Sequence, residues 1–207
     1  MILEQITERY QNLNYMKHSQ AVYLRDLILS KNLQNLCELG HYHGKSSAYL
    51  ASILSEQGYG RLTTFDLAAT VVKPSIHDLL SEFNLHQYVE TVISAEGYIW
   101  DLANRIKENP ENKFDFCYID GGHTFESTGL GFVLVNILMK QGGHIVLDDV
   151  KWTINNSPAL FNFYKNLTDT QRNANGVEMV CDIIIPSLGY ELVDRNVGLN
   201  WAVYKKL

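Results

Sequence analysis

Glu38-Leu39-Gly40-His41-Tyr42-His43-Gly44-Lys45-Ser46 lies between an apolar run, Leu33 to Cys37, and a run of helical character from Ser47 to Leu54. A strand that turns through glycines into a helix start sets backbone N–H groups and the positive end of a helix dipole beside any bound ligand. The glycines stand four apart. That spacing matches neither the three-glycine dinucleotide fingerprint nor the lysine-ending phosphate loop. Glu38, just ahead of the first glycine, adds negative charge where a pyrophosphate would lie, and so favours a cationic guest. A plain strand-to-helix turn without a ligand is the alternative reading.

Outward from this turn, strand and helix patterns alternate. The periodicity predicts a helix over Tyr15 to Leu29, with Ala21, Leu24, Leu27 and Ile28 on one face, then a strand from Leu33 to Leu39. The helix begun at Ser46 or Ser47 is closed by Gly58 to Gly60. Strands are expected at Arg61 to Leu67, Tyr88 to Ile93, Phe114 to Ile119 and His144 to Leu147. Helices fall between them at Ser75 to Phe83, Tyr98 to Glu108 and Glu126 to Met139, the last stopped by Gly142 and Gly143. Such alternation implies right-handed βαβ units and a parallel sheet covered on both faces. Tyr190 to Asp194 and Asn200 to Lys205 differ: they read as two strands joined by a short turn, and so must run antiparallel. The expectation is an α/β, Rossmann-like, doubly wound and mostly parallel seven-stranded sheet with an antiparallel C-terminal hairpin. It forms one domain over 1–207, with a helical cap at 1–30 and the core at 31–207. The first 15 residues read either as a helix over the mouth of the site or as a surface helix without a role.

With 207 residues, 46% hydrophobic and 19% charged, the chain is long enough for one full core. Its formal charge of −6, without a Lys/Arg cluster, argues against nucleic acid as a partner. No apolar run reaches the length of a membrane span, and the first 30 residues carry no signal-peptide core. Cys37, Cys117 and Cys181 lack zinc spacing, and the first two fall inside expected strands. The reading is a soluble, cytoplasmic protein with no membrane partner. A homodimer is left open.

In an open α/β sheet, ligands bind beyond the carboxyl ends of the strands. The polar residues expected there are Glu38, Asp66, Ser94 to Glu96, Asp120, and Asp148 with Asp149. Carboxylates gathered at one partly dry edge repel one another, so a cation is expected among them.

The acid-x-Gly-x-x-x-Gly-x-Ser turn resembles the cofactor loop of class I S-adenosylmethionine-dependent methyltransferases. Two further segments, Phe114-Asp115-Phe116-Cys117-Tyr118-Ile119-Asp120-Gly121-Gly122-His123 and Gly142-Gly143-His144-Ile145-Val146-Leu147-Asp148-Asp149, resemble the paired signature of small bacterial metal-dependent O-methyltransferases. The resemblance is close over residues 33 to 150 and looser over the C-terminal hairpin. It implies S-adenosylmethionine as cofactor, bound by Glu38, Gly40, Gly44 and Ser46 around its methionine part. Asp66 would hold the ribose, and Ser94, Ala95 and Glu96 would contact the adenine. It implies a divalent ion, Mg²⁺, on Asp120, Asp148 and Asp149, and His123 as the base that takes the acceptor's proton.

Other readings stand beside these. Asp66 and the Ser94–Glu96 stretch also suit ordinary capping. Asp120 suits the cofactor's amino group, with Asp148 and Asp149 structural. His123 suits a positioning role. His41 and His43 flank Tyr42 in the variable middle of the loop, where backbone contacts are expected to matter. Trp152 is a candidate wall for a planar acceptor, and Trp100 reads as a helix core residue. The function implied is metal-assisted O-methylation of a small-molecule hydroxyl. The alternatives are a metal-independent N- or O-methyltransferase and a non-catalytic nucleotide-binding protein.

Overall fold

In a computed structural model, which describes residues 1–13, 15–68, 72–157 and 164–207, seven strands form one sheet. They are β1 (Asn35–Leu39), β2 (Arg61–Leu67), β3 (Val89–Ser94), β4 (Phe114–Ile119), β5 (Met139–Leu147), β6 (Tyr190–Asn196) and β7 (Trp201–Lys206). Their spatial order is β3-β2-β1-β4-β5-β7-β6. β1 to β5 pair in parallel, whereas β7 runs antiparallel to both β5 and β6. The order reverses between β1 and β4, so the loops after these two strands diverge to opposite faces and leave a crevice between them.

Period-2 alternation builds the two hydrophobic layers. Leu36, Phe116, Tyr118 and Val146 face one layer, covered by α1 (Ile2–Arg9), α2 (His18–Lys31), α3 (Lys45–Gln57) and α4 (Ile76–Glu82). Cys37, Cys117, Ile119 and Ile145 face the other, covered by α5 (Tyr98–Glu108), α6 (Phe125–Leu138) and α8 (Gly176–Met179). All three cysteines are buried free thiols. Among the described residues no helix is long and apolar enough to cross a membrane.

Several elements depart from the sequence reading. α2 begins at His18 rather than Tyr15, because Gln20 Oε1 accepts the Lys17 N–H at 2.7 Å and fixes the start there. α1 does not lie over the mouth of the site. It buries Leu3 and Ile6 in the core and packs on α2 and α3. Gly142 and Gly143 do not stop a helix but lie within β5, where the pairing with β4 slips between Phe114 and Phe116. A Cβ on Gly143 would come within 3.0 Å of the Lys140 carbonyl oxygen and 3.1 Å of that of Asp115, so the slip leaves little room for a side chain there. Trp100 is 63% exposed and belongs to no core. The helical run after residue 168, which includes α7 (Asp169–Asn173), α8 and a π-helical turn at Val180–Ile184, had no counterpart in the periodicity.

Candidate active site

The carboxyl ends of β1, β2 and β4 meet at a cavity of about 520 Å³. Its floor depends on Gly40. At φ +87°, this residue lets the loop after β1 lie directly on the end of β4, where a Cβ would sit 2.6 Å from the Asp120 carbonyl oxygen and 2.9 Å from Gly121 Cα. Gly40 N–H donates to the Phe65 carbonyl at 2.9 Å, and Asp120 N–H to that of Leu39 at 2.9 Å, so three strand ends are stitched together at this point. Gly44, at φ +85°, is the N-cap of α3 and lies against Ile76.

Glu38 is completely buried beneath the loop. Its Oε2 accepts from the Ser47 and Thr64 hydroxyls, the latter at 2.7 Å, while Oε1 has no partner among the described residues. Burial pushes its pKa up to about 7, against the pull of the neighbouring hydroxyls. Asp66 lines the cavity, but its Oδ2 is engaged by the loop itself, accepting the amides of His41 at 2.9 Å and Tyr42 at 2.6 Å. That clamp holds Tyr42 in a left-handed conformation, φ 46°.

Opposite the loop, Asp120 and His123 from the β4 end meet Asp149 from the β5 end. Each of the three offers a ligand atom within 4.8 Å of the others. His123 Nε2 is 3.7 Å from Asp120 Oδ1 and 3.9 Å from Asp149 Oδ2. His123 and Asp149 both have positive φ, 47° and 57°, a cost that clusters at functional sites. Asn200 Nδ2 steadies Asp149 Oδ1 at 3.2 Å. Burial, and then the charges of Asp148, Asp149 and Glu38, hold the Asp120 carboxyl well above the usual carboxylate range. Burial lowers the pKa of His123, an effect that Asp149 opposes.

The expected three-aspartate group is therefore not the one assembled. Asp148 is buried behind it, its Oδ2 accepting the Tyr118 hydroxyl and its Oδ1 the Asp149 amide at 2.7 Å. Burial raises the pKa of Asp148 to about 7. His123 takes the third place.

The Ser94–Glu96 stretch does not line the cavity. Ser94 Oγ caps the turn into α5, accepting from Gly97 N–H at 3.0 Å and donating to Asp101 at 2.8 Å, while Ala95 and Glu96 face solvent. Ser46 does line the cavity. So do Tyr15 and Tyr164, which sequence reasoning missed. Tyr164 donates to the Gly122 carbonyl at 3.2 Å. Neither tyrosine belongs to a motif, and no local signal marked them.

His123 also walls a second, smaller cavity of about 160 Å³. Trp152, Phe125, Leu167 and Met179 supply its apolar sides. The Trp152 ring lies 5.1 Å from that of His123, and its Nε1 donates to Ser157 Oγ at 2.9 Å.

Residues 37–150, more than half of the chain, match the family model described as a methyltransferase domain. This chain belongs to that family. Its fold is that of class I S-adenosylmethionine-dependent methyltransferases. A Bacillus cereus O-methyltransferase solved with S-adenosylhomocysteine aligns over 99% of this chain and 90% of its own, at 20% identity and a TM-score of 0.67. TomG from Streptomyces achromogenes, an O-methyltransferase involved in tomaymycin synthesis and solved with S-adenosylmethionine, aligns over 99% and 88%, at 18% identity and 0.64. A caffeoyl-CoA O-methyltransferase candidate from Staphylococcus aureus aligns over 100% and 91%, at 18% identity and 0.68. At these identities the shared property is the fold. No curated protein matches the chain by sequence.

Proposed function

We propose that this methyltransferase moves a methyl group from S-adenosylmethionine to a hydroxyl of a small molecule, assisted by a divalent ion. The observation that carries the reading is the meeting of Asp120, His123 and Asp149 at the rim of a cavity whose opposite wall is the glycine loop. The chemistry of the rim asks for positive charge. Burial and neighbouring carboxylates raise the pKa of Asp120 and of Asp148, and one buried oxygen of Glu38 has no partner among the described residues. A sulfonium in the cavity and an ion at the rim would relieve that repulsion.

Gly40, Gly44 and Ser46 would receive the methionine part of the donor, with Glu38 supplying charge from below. Asp66 would offer the ribose its remaining acceptor capacity while it holds the loop. Ser94, Ala95 and Glu96 are retained for the adenine only as the rim beyond β3. Asp120 and Asp149 would hold Mg²⁺, whose preference is for oxygen ligands. Bound there, such an ion lowers the pKa of an acceptor hydroxyl. Asp148 then acts behind them, fixing the Asp149 amide.

His123, kept neutral by burial, is free to accept the acceptor's proton through Nε2. It faces both cavities, so an acceptor seated against Trp152 would present its hydroxyl toward the donor. A volume of 160 Å³ matches a single ring, since a cavity of about 150 Å³ holds benzene. Because methyl transfer is an in-line displacement, holding the two reactants in register supplies much of the rate.

A second reading, transfer without a metal, is favoured by the place His123 takes among the two carboxylates, since magnesium is poorly served by imidazole nitrogen. The test is transfer of labelled methyl from S-adenosylmethionine to a panel of phenols, catechols, alkyl alcohols and amines, with Mg²⁺ or with chelator. Labelled ethers that vanish with chelator support the proposal. Undiminished turnover in chelator supports the second reading, and no product with any acceptor refutes both.

A further inference from the structure

Lys45 has no part in the roles assigned so far, yet it is the most deeply buried cation near the site. It stands at the start of α3, only 5% exposed, in the wall of the larger cavity beside Ser46. Its Nζ donates to the Leu13 carbonyl at 2.6 Å, which uses one of the three bonds an ammonium offers. Burial lowers its pKa, and no carboxylate acts on it. Lys73, Lys140 and Lys151 each meet one, in Asp78, Asp115 and Glu178, although all three are far more exposed.

The most buried ammonium thus has no counter-ion among the described residues, where burying a charge costs most. The first-turn N–H groups of α3 add to the positive charge at the same spot, since they have no acceptor within the helix. Acidic groups lie elsewhere around the cavity: Asp66 and Asp120 line it, and Glu38 is buried beneath the loop. A ligand matched to this cavity must therefore be dipolar, its cation toward the acids and its anion toward Lys45.

We infer that Lys45 anchors the carboxylate of the donor's amino-acid tail, so that the cavity selects a ligand charged at sulfur and zwitterionic at its end. This rests on the donor reading above. The competing role is structural: through Leu13 the lysine clasps the N-terminal segment, which brings Tyr15 to the cavity. The two roles differ in which ligand feels the loss of the charge.

Calorimetric affinities for S-adenosylhomocysteine and for its decarboxylated analogue, on the full chain as wild type, Lys45→Met and Lys45→Arg, separate them. The wild type should prefer the carboxylate-bearing ligand about 10- to 100-fold, the range for a hydrogen bond to a charged group. In Lys45→Met the preference should fall to roughly threefold or less, with the analogue's own affinity unchanged, and Lys45→Arg should keep it. Equal weakening of both ligands in Lys45→Met, or an unchanged preference, overturns the inference. The wild-type comparison needs no variant, and finding no preference there overturns it as well. Should the wild type bind neither ligand, the donor reading itself fails, and the anchor with it.

Discussion

Replacing Glu38 by Gln should change how stability depends on pH, in a direction the structure fixes. The carboxyl is fully buried, and its pKa is raised from an ordinary value near 4.5 to about 7. Between those values the folded state holds a proton that the unfolded chain has released. The stability linked to this group is therefore fully present below about pH 4.5 and is lost as pH rises through 7. A shift of this size corresponds to about 3 kcal/mol, most of which falls between pH 5 and 8. Glutamine cannot ionise. Relative to the wild type, Glu38→Gln should gain about 2–3 kcal/mol of unfolding free energy from pH 5 to pH 8. Asp148 is raised chiefly by its own burial in both proteins, whereas Asp120 also feels the Glu38 charge, so the difference reads Glu38 together with its effect on Asp120. Urea denaturation at half-unit pH steps supplies the measurement. A difference that stays flat with pH would refute the reasoning that an uncompensated carboxylate is stored under the loop. Saturating S-adenosylmethionine should flatten the wild-type slope, because a nearby sulfonium favours the ionised form.

Gly40→Ala, at φ +87° with a Cβ 2.6 Å from the Asp120 oxygen, should cost at least the ~1–3 kcal/mol of a left-handed non-glycine residue and abolish donor binding; a chemical melt and a titration test both. Asp149→Asn should raise the Mg²⁺ concentration for half-maximal activity by at least the roughly 10- to 100-fold that loss of even a supporting group costs. Unchanged activation by Mg²⁺ would remove Asp149 from the ion. His123→Asn should lower turnover roughly 10²- to 10⁴-fold at pH 7 and erase the acid limb of the pH–rate profile. An acid limb that persists in the variant would make His123 a positioning residue instead. Trp152→Ala should raise KM for a ring-bearing acceptor about 10-fold while leaving donor affinity intact, in line with the 1–3 kcal/mol scale of apolar pocket contacts.

The sheet was largely legible because its strands are short, strongly apolar and bounded by glycines and acids. Phe114 to Ile119 is buried at every position, and β1 turns at Gly40 for a reason the φ angle makes plain. The failures were local. Gly142 and Gly143 look like a helix stop in sequence, yet they serve a slip in strand pairing that only the partner strand reveals. α7 and α8 are five and four residues long, too short for a helical period to register. In the site, Asp120, His123 and Asp149 were legible from two strand-end motifs. That Asp148 would turn back to Tyr118 was not, because the pair lies past the end of β5, where the left-handed backbone at Asp149 parts the two carboxylates, and the partner is a buried hydroxyl on another strand. Lys45 was hidden for a similar reason. Its burial depends on residue 13, which no pattern in the loop announces.

The central claim is that the carboxylates at one edge of the sheet gather around a sulfonium-bearing nucleoside. Titration calorimetry compares S-adenosylmethionine, S-adenosylhomocysteine and NAD on the same protein. Binding of both adenosyl ligands at one site per chain, with NAD silent, is the outcome expected of this cavity. Heat from NAD alone would contradict it.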